Sequence, residues 1–286
     1  MKITLTGGSG FLGAHVADAF VKKGHSVFIF DKKKPKSLIK KQYYIKGDIT
    51  KIKSLEKAIK KSDIVYHFAG ISDLDEALNK PVETVNQNIL GTVNVLELTK
   101  KYKIKRLVYA SSLYATSIQG GFYSCSKKTA ESYIEEYYKR YKTSFTILRY
   151  GSLYGLGADE RNGIYTILKD AINKNKFQYI GNKFAVRKYI HVKDAAEASV
   201  SILSKKYKNK YVNIVGTKNY KITELFRIIS KLLKKNNRVI FKNKKHLGHY
   251  VKSPKLFKIS AGLKFKLKNN INLKEGISSL IKNEKF

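Results

Sequence analysis

The chain has one cysteine, one methionine, three prolines and no tryptophan among its 286 residues. A lone cysteine, Cys125, excludes an internal disulfide and any thiolate metal cluster. That scarcity fits a reducing setting, so a cytoplasmic location is expected. No apolar run approaches the roughly 18 residues that a membrane span requires. The opening "MKITLTGGSG" reads as a strand entering a glycine turn, not as a secretory leader. Six scattered histidines offer no metal-site spacing, and no metal is expected. Acidic residues are scarce too: 21 face 58 basic ones, for a formal charge of +37. Such a surplus attracts nucleic acid or an anionic membrane. However, 51 of the 58 are lysine, and they are spread along the whole chain. This spread fits compositional bias and solvated faces better than a nucleic-acid site. The positive field would still favour a phosphate-bearing substrate.

Hydrophobic residues make up 43% of the chain, which supports a sizeable core and argues against disorder. The length suits one large domain or two modest ones. "KITLT", "SVFIFD", "QYYIKGDI", "DIVYHFAG", "KRLVYASS" and "SFTILRYG" read as six strands. Helical patterns alternate with them: "AHVADAFVKKG", "SLEKAIKK" with Ser54 as N-cap, a long helix after Pro81, and one from about Tyr123 to Tyr141. The nearly all-apolar fourth strand fits a parallel sheet covered on both faces. This alternation predicts the α/β class, with right-handed crossovers and a doubly wound parallel sheet. It lasts to about residue 150 and then becomes irregular. Residues 1–150 are therefore read as a dinucleotide-binding domain. Residues 151–286 are read as a smaller, partly helical substrate lobe interleaved with the end of the sheet. The lysine-rich stretch 231–245 reads as a solvated helix end and a short strand.

"TGGSGFLG" places Gly7, Gly10 and Gly13 at three-residue spacing between a strand and a helix. Gly7 allows a tight turn, Gly10 admits a pyrophosphate to the backbone, and Gly13 permits close packing of the helix. The helix N-terminus offers free N–H groups to phosphates. Asp31 ends the second strand, where a carboxylate can accept hydrogen bonds from an adenosine ribose. That favours NAD over NADP, although Lys32, Lys33 and Lys34 follow at once and could tolerate a 2′-phosphate. "YSCSK" places Tyr123 four residues before Lys127, on one helix face. A phenol with its pKa near 10 needs a neighbouring cation to act as a base near neutrality. The pair therefore fits a proton relay on a substrate hydroxyl beside a hydride acceptor. Cys125 lies between them on another side of the helix and is expected to be packed, not nucleophilic. His67, in an apolar strand, reads as a core histidine. His191 reads as a structural hydrogen-bonder.

Taken together, these segments resemble an extended short-chain dehydrogenase/reductase of the NAD-dependent epimerase/dehydratase family. The resemblance covers nearly the whole chain, with "TGGSGFLG", "GDI", "HFAG", "NILGTVNVLE", "YSCSK", "LRYGSLYG", "VRKYIHVKDAAEA" and "NLKEGISSLI" in the family's order. It implies a Rossmann fold and a tightly held NAD. Tyr123 would be the general acid/base, Lys127 would hold the nicotinamide ribose and lower the tyrosine pKa, and Ser112 would bond the reacting oxygen. Ser111 is the alternative to Ser112, since only ten residues separate Ser112 from Tyr123. The cofactor cradle would comprise Gly7, Gly10, Phe11, Leu12, Gly13, Asp31, Asp48, Ile49, Phe68, Ala69, Gly70, Asn88 and Lys127. Arg187 would clamp a nucleotide diphosphate, and Ser152 stands where the family usually has a substrate-binding asparagine. No acid pair follows Ser112, which argues against dehydratase chemistry. The implied activity is epimerisation of a nucleotide sugar, at position four on the family prior. Two alternatives remain open: a nucleotide-sugar reductase or dehydrogenase, and a non-catalytic dinucleotide-binding protein with a basic surface. The resemblance also implies a homodimer built on helices Pro81–Tyr102 and Tyr123–Tyr141.

Overall fold

The structure is a computed structural model that describes residues 1–242, 262–267, 270–284 and 286. The chain begins with β1 (Lys2–Thr6), α1 (Phe11–Lys22), β2 (Ser26–Asp31), β3 (Gln42–Lys46), α2 (Ile52–Ile59) and β4 (Ile64–His67). Next come α3 (Leu74–Asn79), α4 (Pro81–Thr84), a π-helical stretch Val85–Leu90, and α5 (Gly91–Lys101). β5 (Arg106–Ser112), α6 (Gly121–Tyr141) and β6 (Phe145–Tyr150) complete the first half. The second half contains β7 (Ser152–Tyr154), α7 (Gly163–Asn173), β8 (Lys176–Ile180), β9 (Val186–Arg187) and β10 (Tyr189–His191). It continues through α8 (Val192–Ser201), β11 (Lys210–Ile214), β12 (Tyr220–Lys221), α9 (Ile222–Leu233), β13 (Arg238–Lys242), β14 (Leu263–Lys264) and α10 (Leu273–Asn283).

Eight strands form one sheet in the order β14-β11-β6-β5-β4-β1-β2-β3. Every neighbouring pair in it is parallel. All six strands expected from the sequence are present, and β11 and β14 from the second half extend the sheet beyond β6. Helices cover both faces. α1 and α8 pack on one face, where Val16, Phe20, Ala195 and Ala198 meet Ile3, Leu5 and Val212. α2, α5 and α6 pack on the other, where Leu55, Val95, Leu96 and Ile134 meet Phe30, Val65 and Ile147. Strand order reverses on either side of β1. A crevice outside the carboxyl ends of β1 and β4 is the geometric consequence.

Three local expectations are corrected. Ser54 lies inside the first turn of α2, and Lys51 takes the N-cap position. The Ser54 hydroxyl is turned back onto the carbonyls of Lys51 (3.0 Å) and Asp48 (3.2 Å). The long helix does start at Pro81, but it widens to π-helical winding over Val85–Leu90. Cys125 is exposed, not packed. It lies two residues from Tyr123, on the side of α6 turned away from the sheet. Of the lysine-rich stretch 231–245, α9 and β13 account for residues through 242, and residues 243–245 lie outside the described residues.

His67 ends β4 and is buried, with Nδ1 paired to Thr6 Oγ1 at 2.7 Å and Nε2 to Thr92 Oγ1 at 3.0 Å. Burial, with the nearby Lys127 charge, pushes the ring down to about 3. His191 N-caps α8 by accepting from the Lys193 N–H, and burial lowers it to about 4. The folded protein holds both rings neutral, whereas an unfolded chain binds protons below about 6.5. Stability is therefore expected to fall as pH drops from about 6.5 toward 4, at about 1.4 kcal/mol per pH unit for each ring. Urea denaturation at pH 7, 6, 5 and 4.5 measures this slope. His67→Asn should make it shallower, and an unchanged slope would clear His67 of the effect.

Candidate active site

The site is assembled at the carboxyl ends of β1, β4, β5 and β6. The glycine turn follows β1. Gly7 has φ +73°, and a Cβ there would lie 2.5 Å from the Ala69 nitrogen, so only glycine fits. A Cβ on Gly13 would lie 2.3 Å from the Gly7 carbonyl oxygen, so the first turn of α1 sits directly on the loop. Gly10 is the N-cap, with no side chain closing the helix end and no acidic residue in the first turn. Phe11, Leu12 and Gly13 thus begin a helix whose N–H groups and dipole face outward, an arrangement suited to phosphate oxygens.

Asp31 lies beside this turn. Its carboxylate accepts from the backbone N–H of Ser9 (3.1 Å) and of Lys33 (3.0 Å), which ties the glycine loop to the end of β2. Lys32 turns away to Asp48, with Nζ 3.1 Å from Oδ2. The other Asp48 oxygen accepts from Thr50. Partial burial raises the Asp48 carboxyl, but the Thr50 bonds and Lys32 together hold it below its ordinary range. Ile49 is buried and packs against Gly91, which has no side chain to block it. Phe68, Ala69 and Gly70 leave β4 next to the glycine turn, with the Phe68 N–H bonded to the Thr6 carbonyl at 2.9 Å. An uncapped helix end, a tight glycine loop and an acid at the tip of β2 fit an adenine dinucleotide.

Asn88 is tied into the wall of the site. It is buried, and its Oδ1 accepts from the Ile71 N–H at 2.7 Å. Its Nδ2 donates to the Ile71 carbonyl (3.0 Å) and to Ser126 Oγ (2.9 Å). Asn88 therefore clamps the segment after β4 to α6, one residue before Lys127.

Tyr123 and Lys127 occupy one face of α6 and are both buried. The Tyr123 ring lies among Ile71, Leu74, Ala77 and Tyr114. Its hydroxyl faces Ser112, which favours the phenolate form. Lys127 donates from Nζ to the Ala110 carbonyl at 2.8 Å and stands 5.9 Å from the centre of the Tyr123 ring. Burial pushes Tyr123 up to about 12, and Ser112 offsets this only in part. Burial likewise pushes Lys127 down to about 8, against a raising effect from Glu131.

The two serines have separate partners. The Ser111 hydroxyl donates to Glu131 Oε1 at 2.5 Å, inside a buried ion pair in which Arg149 Nη2 meets Glu131 Oε2 at 2.6 Å. Ser112 faces Tyr123. In the β5–β6 register Ser112 pairs with Tyr150, so Ser152 lies two residues further along the same edge. Ser152 pairs with Tyr189 of β10. Arg187 lies just upstream in β9, opposite Tyr220 of β12, with Nη1 on the Val186 carbonyl at 3.1 Å. Sequence reading missed Glu131, Arg149, Ser126 and Tyr114. Glu131 carried a usable signal, since Tyr123, Lys127 and Glu131 follow at four-residue intervals.

Separate partners give separate phenotypes. Ser111→Ala strips a donor from a buried carboxylate and should cost about 1–3 kcal/mol in urea denaturation. Tyr123 should titrate unchanged in that variant. Ser112→Ala should raise the Tyr123 titration, followed by NMR of Cζ-labelled tyrosine, with little loss of stability. Interchanged results would assign the two hydroxyls the other way round.

The sequence model of the NAD dependent epimerase/dehydratase family matches residues 3–215. A Methanocaldococcus jannaschii protein described as a putative UDP-glucose 4-epimerase is 30% identical, over 98% of this chain and 97% of its own. A UDP-N-acetyl-alpha-D-glucosaminuronate decarboxylase from Bacillus cytotoxicus is 28% identical, over 84% of this chain and 82% of its own. Among solved structures, the Thermotoga maritima UDP-glucose 4-epimerase with UDP-glucose superposes with a TM-score of 0.86 at 23% identity, covering 99% of this chain and 98% of that one. At that identity the likeness speaks for the fold. The family model spans well over half of the sequence and includes the glycine turn and the Tyr123–Lys127 pair, and the chain belongs to the NAD dependent epimerase/dehydratase family.

Proposed function

We propose that this protein is an NAD-dependent nucleotide-sugar epimerase that inverts a sugar carbon, C4 on the family prior, through a transient keto intermediate. The observation that carries the reading is the convergence of Tyr123, Ser112 and Lys127 in one buried cluster joined to the glycine turn. Gly7 touches Ala69, Asn88 clamps Ile71, and Ile71 packs on Tyr123. The Methanocaldococcus relative supports the same activity.

Each side chain has a distinct task in this reading. The Tyr123 phenolic oxygen takes the proton of a sugar hydroxyl and later returns it. Ser112 bonds the same sugar oxygen and orients it. Lys127, fixed at its Nζ by the Ala110 carbonyl, donates its other N–H bonds to a ribose diol. Bound NAD would supply the hydride acceptor and, in oxidised form, positive charge to the site. Asp31 holds the adenosine ribose hydroxyls, and Lys32 is committed to Asp48 and not turned toward a 2′-phosphate. Arg187 binds the nucleotide diphosphate. Ser152 meets the sugar, and residues 151–286 form the substrate lobe. Val82, Val85 and Phe122 are exposed on the helices beside the site and support a homodimer through that face.

Tyr123→Phe is expected to lower turnover about 100-fold or more while NAD binding persists. Incubation with UDP-, GDP- and dTDP-sugars, with epimerised product assayed, provides the measurement; a near wild-type rate would remove Tyr123 as the base. Steady NADH release into solution in the same assay would favour a dehydrogenase. Asp31→Ala should narrow the ratio of NAD to NADP affinity, read by calorimetry, and an unchanged ratio would take Asp31 out of the ribose site.

A further inference from the structure

Beneath the Tyr123–Lys127 pair lies a second buried charge cluster that the proposed reaction does not use. Glu131 follows Lys127 by four residues on α6. Arg149 Nε and Nη2 grip its carboxylate from β6 at 2.9 and 2.6 Å, and the Ser111 hydroxyl reaches it from β5 at 2.5 Å. The two charged side chains are only 3% and 6% exposed, so neither is screened by water. The Arg149 guanidinium lies 4.3 Å from the centre of the Tyr211 ring of β11, which fixes it from below. Such a pair seldom adds net stability over an apolar replacement, so its position calls for another account.

We propose that Glu131, held by Arg149 and Ser111 one helical turn beyond Lys127 on the same buried face of α6, acts on the site through Lys127: its negative charge keeps the lysine ammonium protonated in its dry site. The inference rests on the reading that Lys127 serves the site. The groups that face Lys127 are few. His67 of β4 is neutral, with its ring lowered to about 3. Tyr109 of β5, whose ring centre is 4.8 Å from Nζ, is a phenol that burial raises far above its ordinary value. Tyr123 of α6 is a phenol at about 12. Arg149 of β6 adds positive charge. Thr92 of α5 contributes a neutral hydroxyl to the same buried group. Among these, Glu131 alone is a carboxylate. Without it two cations would share the site, and lysine would lose its proton first, because a guanidinium does not.

The experiment follows the Lys127 side chain directly. In lysine Cε-labelled protein without added nucleotide, the Lys127 resonance is identified by its loss in Lys127→Met and titrated with pH. Wild type should titrate near 8. Glu131→Gln should lower that midpoint by about one pH unit or more. Glu131→Gln leaves Arg149 buried without its carboxylate and could prevent folding, so the double variant Glu131→Gln/Arg149→Met is titrated as well. It should show a smaller fall, because a carboxylate and a guanidinium are removed together and the net charge near Lys127 is unchanged. An unchanged midpoint in a folded variant, even one with a reduced melting temperature, would leave only a structural role and overturn the inference. NAD affinity measured against pH separates the two readings. A midpoint that falls while the alkaline limit of NAD binding stays in place upholds the role of Glu131 and refutes Lys127 as a cofactor ligand.

Discussion

The burial of an ammonium and a phenol on one turn of one helix governs the rest of this site. Water would solvate either group cheaply. Under the sheet edge both charged forms are penalised, so Tyr123 is driven up to about 12 and Lys127 down to about 8. A phenol at about 12 is about 7 kcal/mol from ionising freely at neutral pH. The protein by itself therefore keeps the phenol protonated. In an epimerase this is a useful resting state. In the proposed reaction the phenol would become a proton acceptor only in the assembled complex.

The surrounding framework can be read as support for that burial. Ile71, Leu74, Ala77 and Tyr114 exclude water from the Tyr123 ring. Asn88 uses its whole amide to hold the wall segment to α6. The Ala110 carbonyl accepts from the lysine, and the Glu131 charge favours its ammonium against burial. Buried polar groups of this kind are tolerable only when each is paired. The Glu131–Arg149–Ser111 set meets that condition with charge-assisted bonds from two adjacent strands.

The formal charge of +37 plays a smaller part than its size suggests. The described lysines are largely surface groups, and a minority stand in ion pairs such as Lys101 with Glu56 and Lys105 with Asp63. Exposed pairs of this sort contribute little to stability. No helix among the described residues is long and apolar enough to cross a membrane. A positive surplus of this size attracts phosphate-bearing molecules in general.

Much was fixed by local sequence. The six alternating strands, the glycine turn after β1, the acid ending β2 and the four-residue step from Tyr123 to Lys127 depend on short-range spacing, and each lies where spacing places it. Other features were decided only in three dimensions. Whether Ser111 or Ser112 faces the phenol depends on which hydroxyl the Glu131–Arg149 pair claims across β5 and β6. That Asn88 binds the backbone of Ile71 with its amide is likewise visible only once the chain is folded. The entry of β11 and β14 into the main sheet required long-range pairing that no local pattern records. The sign of the tyrosine shift also belongs to the tertiary structure, because desolvation is a property of everything packed around a side chain and a sequence motif names only the neighbours along the helix.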